Sequence, residues 1–122
     1  MKNKMKNKAV LVVEDDATIR ENLQEFLESE NFTVYAASNG KDGLARIREL
    51  GGHCLVLLDL QMPKMNGEQL LDELIHDSNP EVAATSIVII TARVDPIKYA
   101  VRGYLKKPLD LDLLLATVNK FI

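Results

Sequence analysis

Four stretches of this chain are hydrophobic runs: Ala9 to Val13, Leu55 to Leu58, Ile87 to Ile90 and the short Tyr104-Leu105. Leu55 to Leu58 and Ile87 to Ile90 carry the mark of strands covered on both faces, and such strands belong to parallel sheets. Each run leads into polar residues. The first ends at Glu14-Asp15-Asp16, the second at Asp59, the third at Thr91, and the fourth leads to Lys107-Pro108. In an open α/β sheet the C-terminal ends of parallel strands lie along one edge, where such sheets place their sites. Acids, a lone carboxylate, a hydroxyl and an ammonium would therefore share one crevice.

Between these runs the period changes to that of helices. Ile19, Leu23, Phe26 and Leu27 recur at helical spacing, with Asp16 placed to cap the first turn. Phe32 to Ala37 is short and β-rich. Asn39-Gly40 opens a second helix bearing Leu44, Ile47 and Leu50 on one face, closed by Gly51-Gly52. After the loop Met62-Pro63-Lys64-Met65-Asn66-Gly67, Asn66 and Gln69 resemble a capping box ahead of Leu70, Leu71, Leu74 and Ile75. Asn79-Pro80 breaks that helix, and Asp95-Pro96 reads as a cap followed by a first-turn proline. A last helix follows Pro108, with Leu111, Leu114, Leu115, Val118 and Ile122 on one face. The sum is five βα units, (βα)5, and right-handed crossovers make the natural architecture a doubly wound parallel sheet.

At 122 residues the chain is one domain by size. The MKNK-MKNK opening reads as a disordered basic tail over residues 1–7, with the domain over 8–122. Met5 as an alternative start, or a cloning origin for the repeat, stay open. A net charge of −3 speaks against nonspecific nucleic-acid binding, which needs a basic face. No apolar stretch reaches the ~18 residues of a membrane span, so no membrane association and a cytoplasmic location are expected. Cys54 is alone, which excludes a disulfide framework, and its place beside an apolar run makes it a small core residue.

Two or three carboxylates cannot converge without compensation. A like pair at ~4 Å repels by about 4 kcal/mol at an effective dielectric of ~20. A divalent cation removes that cost, and oxygen ligands with no His or Cys nearby favour Mg²⁺. The cation also lets an anionic phosphoryl donor approach an anionic nucleophile, and carboxylates do serve as phosphoryl acceptors. Asp59, a single acid at the end of the most central strand, is the best acceptor. Lys107 and Thr91 could supply charge and a hydrogen bond to the phosphoryl oxygens. Taken singly, each has a plainer explanation. Glu14 to Asp16 could cap a helix, Asp59 could open a turn, Thr91 could bond backbone, and Lys107 could be solvated. Their conjunction at four strand ends carries the argument.

The motifs AVLVVEDDATIREN, LVLLDLQMPKMNGEQLL, SIVIITA and GYLKKPLDLDLLL resemble the receiver domain of two-component response regulators over residues 8–122. The resemblance implies a flavodoxin-like fold with strand order 2-1-3-4-5. It further implies that Asp59 takes a phosphoryl group from a histidine kinase or histidine phosphotransfer protein. Mg²⁺ would be held by Asp15, Asp59 and the backbone carbonyl of Gln61, with Glu14 acting through water. Thr91 and Tyr104 match the switch pair, in which hydroxyl and ring move on phosphorylation. Lys107 matches the family's phosphate-facing lysine, with its bond to Pro108 expected cis. Gln61 and Arg93 hold positions that tune water access to the acyl phosphate; Arg93 is either a partner for phosphoryl oxygens or a surface residue.

One departure stands out. Only Ala92 to Gly103 separates Thr91 from Tyr104, about the minimum for a βαβ crossover. The fourth helix should be short, two turns from Asp95 to Val101, or irregular.

The leading reading is therefore a phosphorylation-dependent signalling module, not an enzyme beyond its own phosphorylation and dephosphorylation. It would act as a single-domain regulator, a phosphorelay shuttle or a receiver excised from a larger protein. It would be a monomer or phosphorylation-dependent dimer, acting on a downstream protein or its own output domain without contacting nucleic acid directly. The alternative is a receiver-like interaction module that no longer switches. A Mg²⁺-dependent phosphatase needs a second Asp where Gln61 stands, and neither a P-loop nor a GxGxxG follows the first strand.

Overall fold

The apolar runs pair side by side as one five-stranded sheet in the order β2-β1-β3-β4-β5, all parallel. In this computed structural model residues 9–62, 64–92 and 99–122 are described. The strands are β1 (Ala9–Val13), β2 (Thr33–Ala37), β3 (Leu55–Asp59), β4 (Ser86–Thr91) and β5 (Gly103–Lys106). The helices are α1 (Ala17–Ser29), α2 (Gly40–Glu49), α3 (Gly67–Ile75), the single turn α4 (Pro80–Ala83) and α5 (Leu111–Phe121).

Alternation along the buried strands sends successive side chains into two cores. Val10, Val12, Leu55, Leu57, Val88 and Ile90 meet Leu23 and Leu27 of α1 and Leu114 and Val118 of α5. Leu11, Val13, Val56, Leu58, Ile87 and Ile89 meet α2 through Leu44 and Ile47, and α3 through Leu70, Leu71 and Leu74. The sheet is thus wound on both faces, as the unalternating runs required. Among the described residues no helix is long and apolar enough to cross a membrane.

The helix starts follow their caps. Asp16 accepts from the Ile19 amide, Asn39 from the Asp42 amide, and Asn66 with Gln69 forms a complete capping box. At the end of α2, Gly51 and Gly52 adopt φ of 63° and 79°, the left-handed conformation that glycine supplies without penalty.

Two features depart from the sequence reading. Asn79-Pro80 does more than break α3: Asn79 caps α4, with Pro80 in its first turn, and Val82 of that turn is buried. Leu111 is 45% exposed although its spacing places it with the buried leucines of α5, because it stands in the first turn of that helix. The fourth helix expected from Asp95 to Val101 falls largely outside the described residues, as does the tail. Tyr99 to Val101 are not helical; Tyr99 and Val101 pack against the core that α3 covers, and the Tyr99 hydroxyl donates to Asp72 of α3 at 3.2 Å.

Candidate functional site

The strand order determines which polar ends become neighbours. β3 lies between β1 and β4, so Asp59 emerges beside Glu14-Asp15 on one side and Thr91 on the other. Thr91 is register partner to Lys106, and its carbonyl accepts from the Lys107 amide at 2.9 Å. That bond carries the β5 end inward, and the Lys107-Pro108 peptide is cis.

The outcome is a tight charge cluster. Ligand oxygens of Glu14, Asp15 and Asp59 all lie within 4.8 Å of one another. Lys107 Nζ is 2.7 Å from Glu14 Oε1 and 3.5 Å from Asp59 Oδ2. Asp59 Oδ1 accepts from the Gln61 amide at 3.2 Å, and Glu14 Oε2 accepts from the Asp16 amide at 3.1 Å. Glu14, Asp59 and Thr91 are buried, whereas Asp15 and Gln61 face solvent.

The two ends of the Lys107–Glu14 pair shift in the same direction, both upward. Burial pushes the Glu14 carboxyl up to about 7, against the pull of Lys107 and the Asp16 amide and with the Asp59 charge adding to it. Partial burial works to lower the Lys107 pKa, but the Glu14 and Asp59 carboxylates outweigh it and hold it above the ordinary lysine value. Among the described residues the Lys107 ammonium faces both Glu14 and Asp59 and does not hold the Glu14 carboxyl at its ordinary value. Glu14 Oε1, fully buried, has the Lys107 ammonium 2.7 Å away as its counter-charge. An all-oxygen set of three carboxylates within 4.8 Å of one another fits a hard divalent cation such as Mg²⁺.

The structure thus brings Glu14, Asp15, Asp59, Gln61, Thr91 and Lys107 to one edge. Tyr104 is on β5 with its ring 48% exposed, in register with Ile89 rather than Thr91. Arg93 lies outside the described residues. Glu14 contacts Lys107 directly, a relationship the sequence reading did not propose. It also gave no notice of Arg20, whose guanidinium Nη1 donates to the carbonyls of Glu14 at 2.8 Å and Asp15 at 3.3 Å. The available signal was a basic residue one turn into the helix that the acids precede. Beside Lys107, a groove of about 320 Å³ opens between Ile19, Leu23, Leu109 and Leu111.

Residues 10–119 match the family model of the response regulator receiver domain. The chain is 34% identical over 116 residues to protein PilH of Pseudomonas aeruginosa, covering 90% of this chain and 93% of that one. It is also 34% identical over 120 residues to the transcriptional regulatory protein CrdR of Helicobacter pylori, covering 93% of this chain but about half, 54%, of the relative. A crystal structure of a response regulator receiver protein from Pseudomonas putida superposes with a TM-score of 0.80 at 29% identity, covering 92% and 95% of the two chains. This chain belongs to the family of response regulator receiver domains.

Proposed function

We propose that this domain is a phosphoacceptor of a two-component or phosphorelay system, with Asp59 as the nucleophile. The donor is a histidine kinase or histidine phosphotransfer protein carrying a phosphohistidine. A carboxylate oxygen of Asp59 forms the new P–O bond as the donor's P–N bond breaks. The imidazole leaves with the electron pair and is protonated from solvent, and Asp59 becomes an acyl phosphate. Lys107, already 3.5 Å from Asp59, is positioned to follow the negative charge onto the phosphoryl oxygens. Thr91, at the adjacent strand end, offers its hydroxyl to one of them.

Asp15, Asp59 and the Gln61 carbonyl would hold Mg²⁺, with Glu14 behind them, and the bound cation would neutralise charge between carboxylate and phosphoryl group. The observation that carries this reading is the cluster itself: acidic oxygens within 4.8 Å of one another, faced by the ammonium of Lys107. A protein donor has an apolar surface to meet directly beside Lys107, in the groove bordered by Leu109 and Leu111. Thr91 and Tyr104 are the proposed switch, Gln61 and Arg93 the tuning positions, and the cytoplasm the setting. Its output goes to a downstream protein or an attached domain, by surface change or dimerisation.

Incubation with Mg²⁺ and acetyl phosphate or beryllofluoride tests this, with Asp59→Asn as control. Intact mass or phosphate-affinity gels should show a modified wild type and an unmodified variant. An unmodified wild type overturns the proposal.

A second reading, a receiver-like module that no longer switches, draws on the short β4–β5 connection and its non-helical end at Tyr99 to Val101. Amide spectra that change on modification only around Asp59, leaving Tyr104 and α5 unmoved, would favour it.

A further inference from the structure

The acids are held by very different means. Glu14 is wholly buried, its amide donates to the Ala37 carbonyl at 3.0 Å, and its carboxylate is fixed by the Asp16 amide and Lys107. Asp59 is the last residue of the central strand. Asp15 has neither advantage. It is exposed and lies between the end of β1 and the cap of α1, so its carboxylate direction depends on how its main chain is held.

Arg20 holds that main chain. Its guanidinium bonds the carbonyls of residues 14 and 15, while its own amide bonds the carbonyl of Asp16 at 2.9 Å. One residue thus contacts three successive carbonyls. The first two precede α1, so no helical hydrogen bond serves them. A planar guanidinium suits this task, since one nitrogen spans adjacent acceptors while delocalised charge strengthens both bonds.

We propose that Arg20 is a positioning residue for the cation site, orienting Asp15 through the Glu14 and Asp15 carbonyls and not by its charge. This rests on the reading of the crevice as a Mg²⁺-dependent phosphoacceptor site. Charge and positioning predict opposite signs. Removing a cation beside an acidic cluster tightens Mg²⁺ binding if Arg20 acts only through its field. Freeing the Asp15 main chain weakens it.

The test titrates the full chain with Mg²⁺ alone, by calorimetry, for wild type, Arg20→Met and Arg20→Lys, with amide spectra to verify the fold. Outer contacts of metal ligands are worth 10–100-fold in affinity, and one acting through main chain belongs at or below that floor, so Arg20→Met should bind about 3- to 10-fold more weakly. Arg20→Lys, which keeps the charge and can bond one carbonyl, should fall between it and wild type. Unchanged or tighter binding in Arg20→Met overturns the proposal. If Arg20→Met does not fold, Arg20→Lys decides, because it keeps the charge: weaker binding supports positioning, and wild-type affinity overturns it. A wild type that binds no Mg²⁺ overturns the reading of the crevice itself, and this proposal with it.

Discussion

The amide of Gly40 donates to the Met65 carbonyl at 2.9 Å, so the first residue of α2 pins the loop that runs from Asp59 to α3. A Cβ at position 40 would sit inside that carbonyl oxygen. The helix has little room to retreat, because Gly43 one turn later lies so close that a Cβ there would stand 3.0 Å from Val13. Gly40→Ala should destabilise the domain by about 1–3 kcal/mol in urea unfolding, the usual cost of forcing atoms into a packed site. Because the same loop carries Gln61, Mg²⁺ affinity should fall too. A variant as stable as wild type would show that the contact is slack.

Lys107→Met removes the counter-charge of a fully buried carboxylate and leaves Glu14 and Asp59 facing each other. Breaking a buried pair costs about 3–5 kcal/mol. Lys107 keeps 21% of its side chain in water, so roughly 2 kcal/mol is expected at pH 8 in a chelator. Added Mg²⁺ should recover part of it, measured as denaturation midpoints with and without the cation.

The pH dependence of metal-free stability has a definite sign. Glu14 ordinarily titrates at 4.5 but in the fold near 7. Between those values the folded chain binds a proton that the unfolded chain does not, so stability falls as pH rises. The contribution is complete below 4.5 and gone above about 7. Glu14→Gln should flatten this slope in melting temperatures recorded across that window in a chelator. A wild-type stability that climbs from 4.5 to 7 once other carboxylates are accounted for would contradict the assignment.

Leu57 and Leu113 separate core from surface. Leu57 is wholly buried in the central strand, and Leu57→Ala should cost about 2–5 kcal/mol. Leu113 is 55% exposed on α5, and Leu113→Ala should stay within about 0.5 kcal/mol. Equal losses in parallel unfolding curves would mean that α5 is covered in solution.

The sequence announced what depends on local pattern. Unalternating runs such as Leu55 to Leu58 are consistent with strands hidden on both faces, and Asp16, Asn39 and Asn66 marked helix starts through chemistry confined to one turn. The single turn Pro80–Ala83 escaped because four residues are too few to show a period; its cap and proline were visible but read as a break. Leu111 has the right spacing, yet spacing cannot tell which end of a helix overhangs the sheet. At the site, the convergence of Asp59 with the acids follows from strand order alone. The meeting of Lys107 with Glu14 does not, since side chains from opposite ends of the chain find each other only once β5 is laced to Thr91.

Every strand pairing in the sheet is parallel, and parallel neighbours are always distant in sequence. No fragment that lacks either the first strand or the residues after the last can carry the whole set, since Glu14 enters with β1 and Lys107 only after β5. A molecule cut between these ends, or half folded, therefore cannot assemble the proposed acceptor crevice. On the proposed reading, cation binding would count native molecules, stabilising them by an amount that grows with the logarithm of cation concentration. For a receiver domain this would act as quality control: whatever could receive the message would already have finished folding.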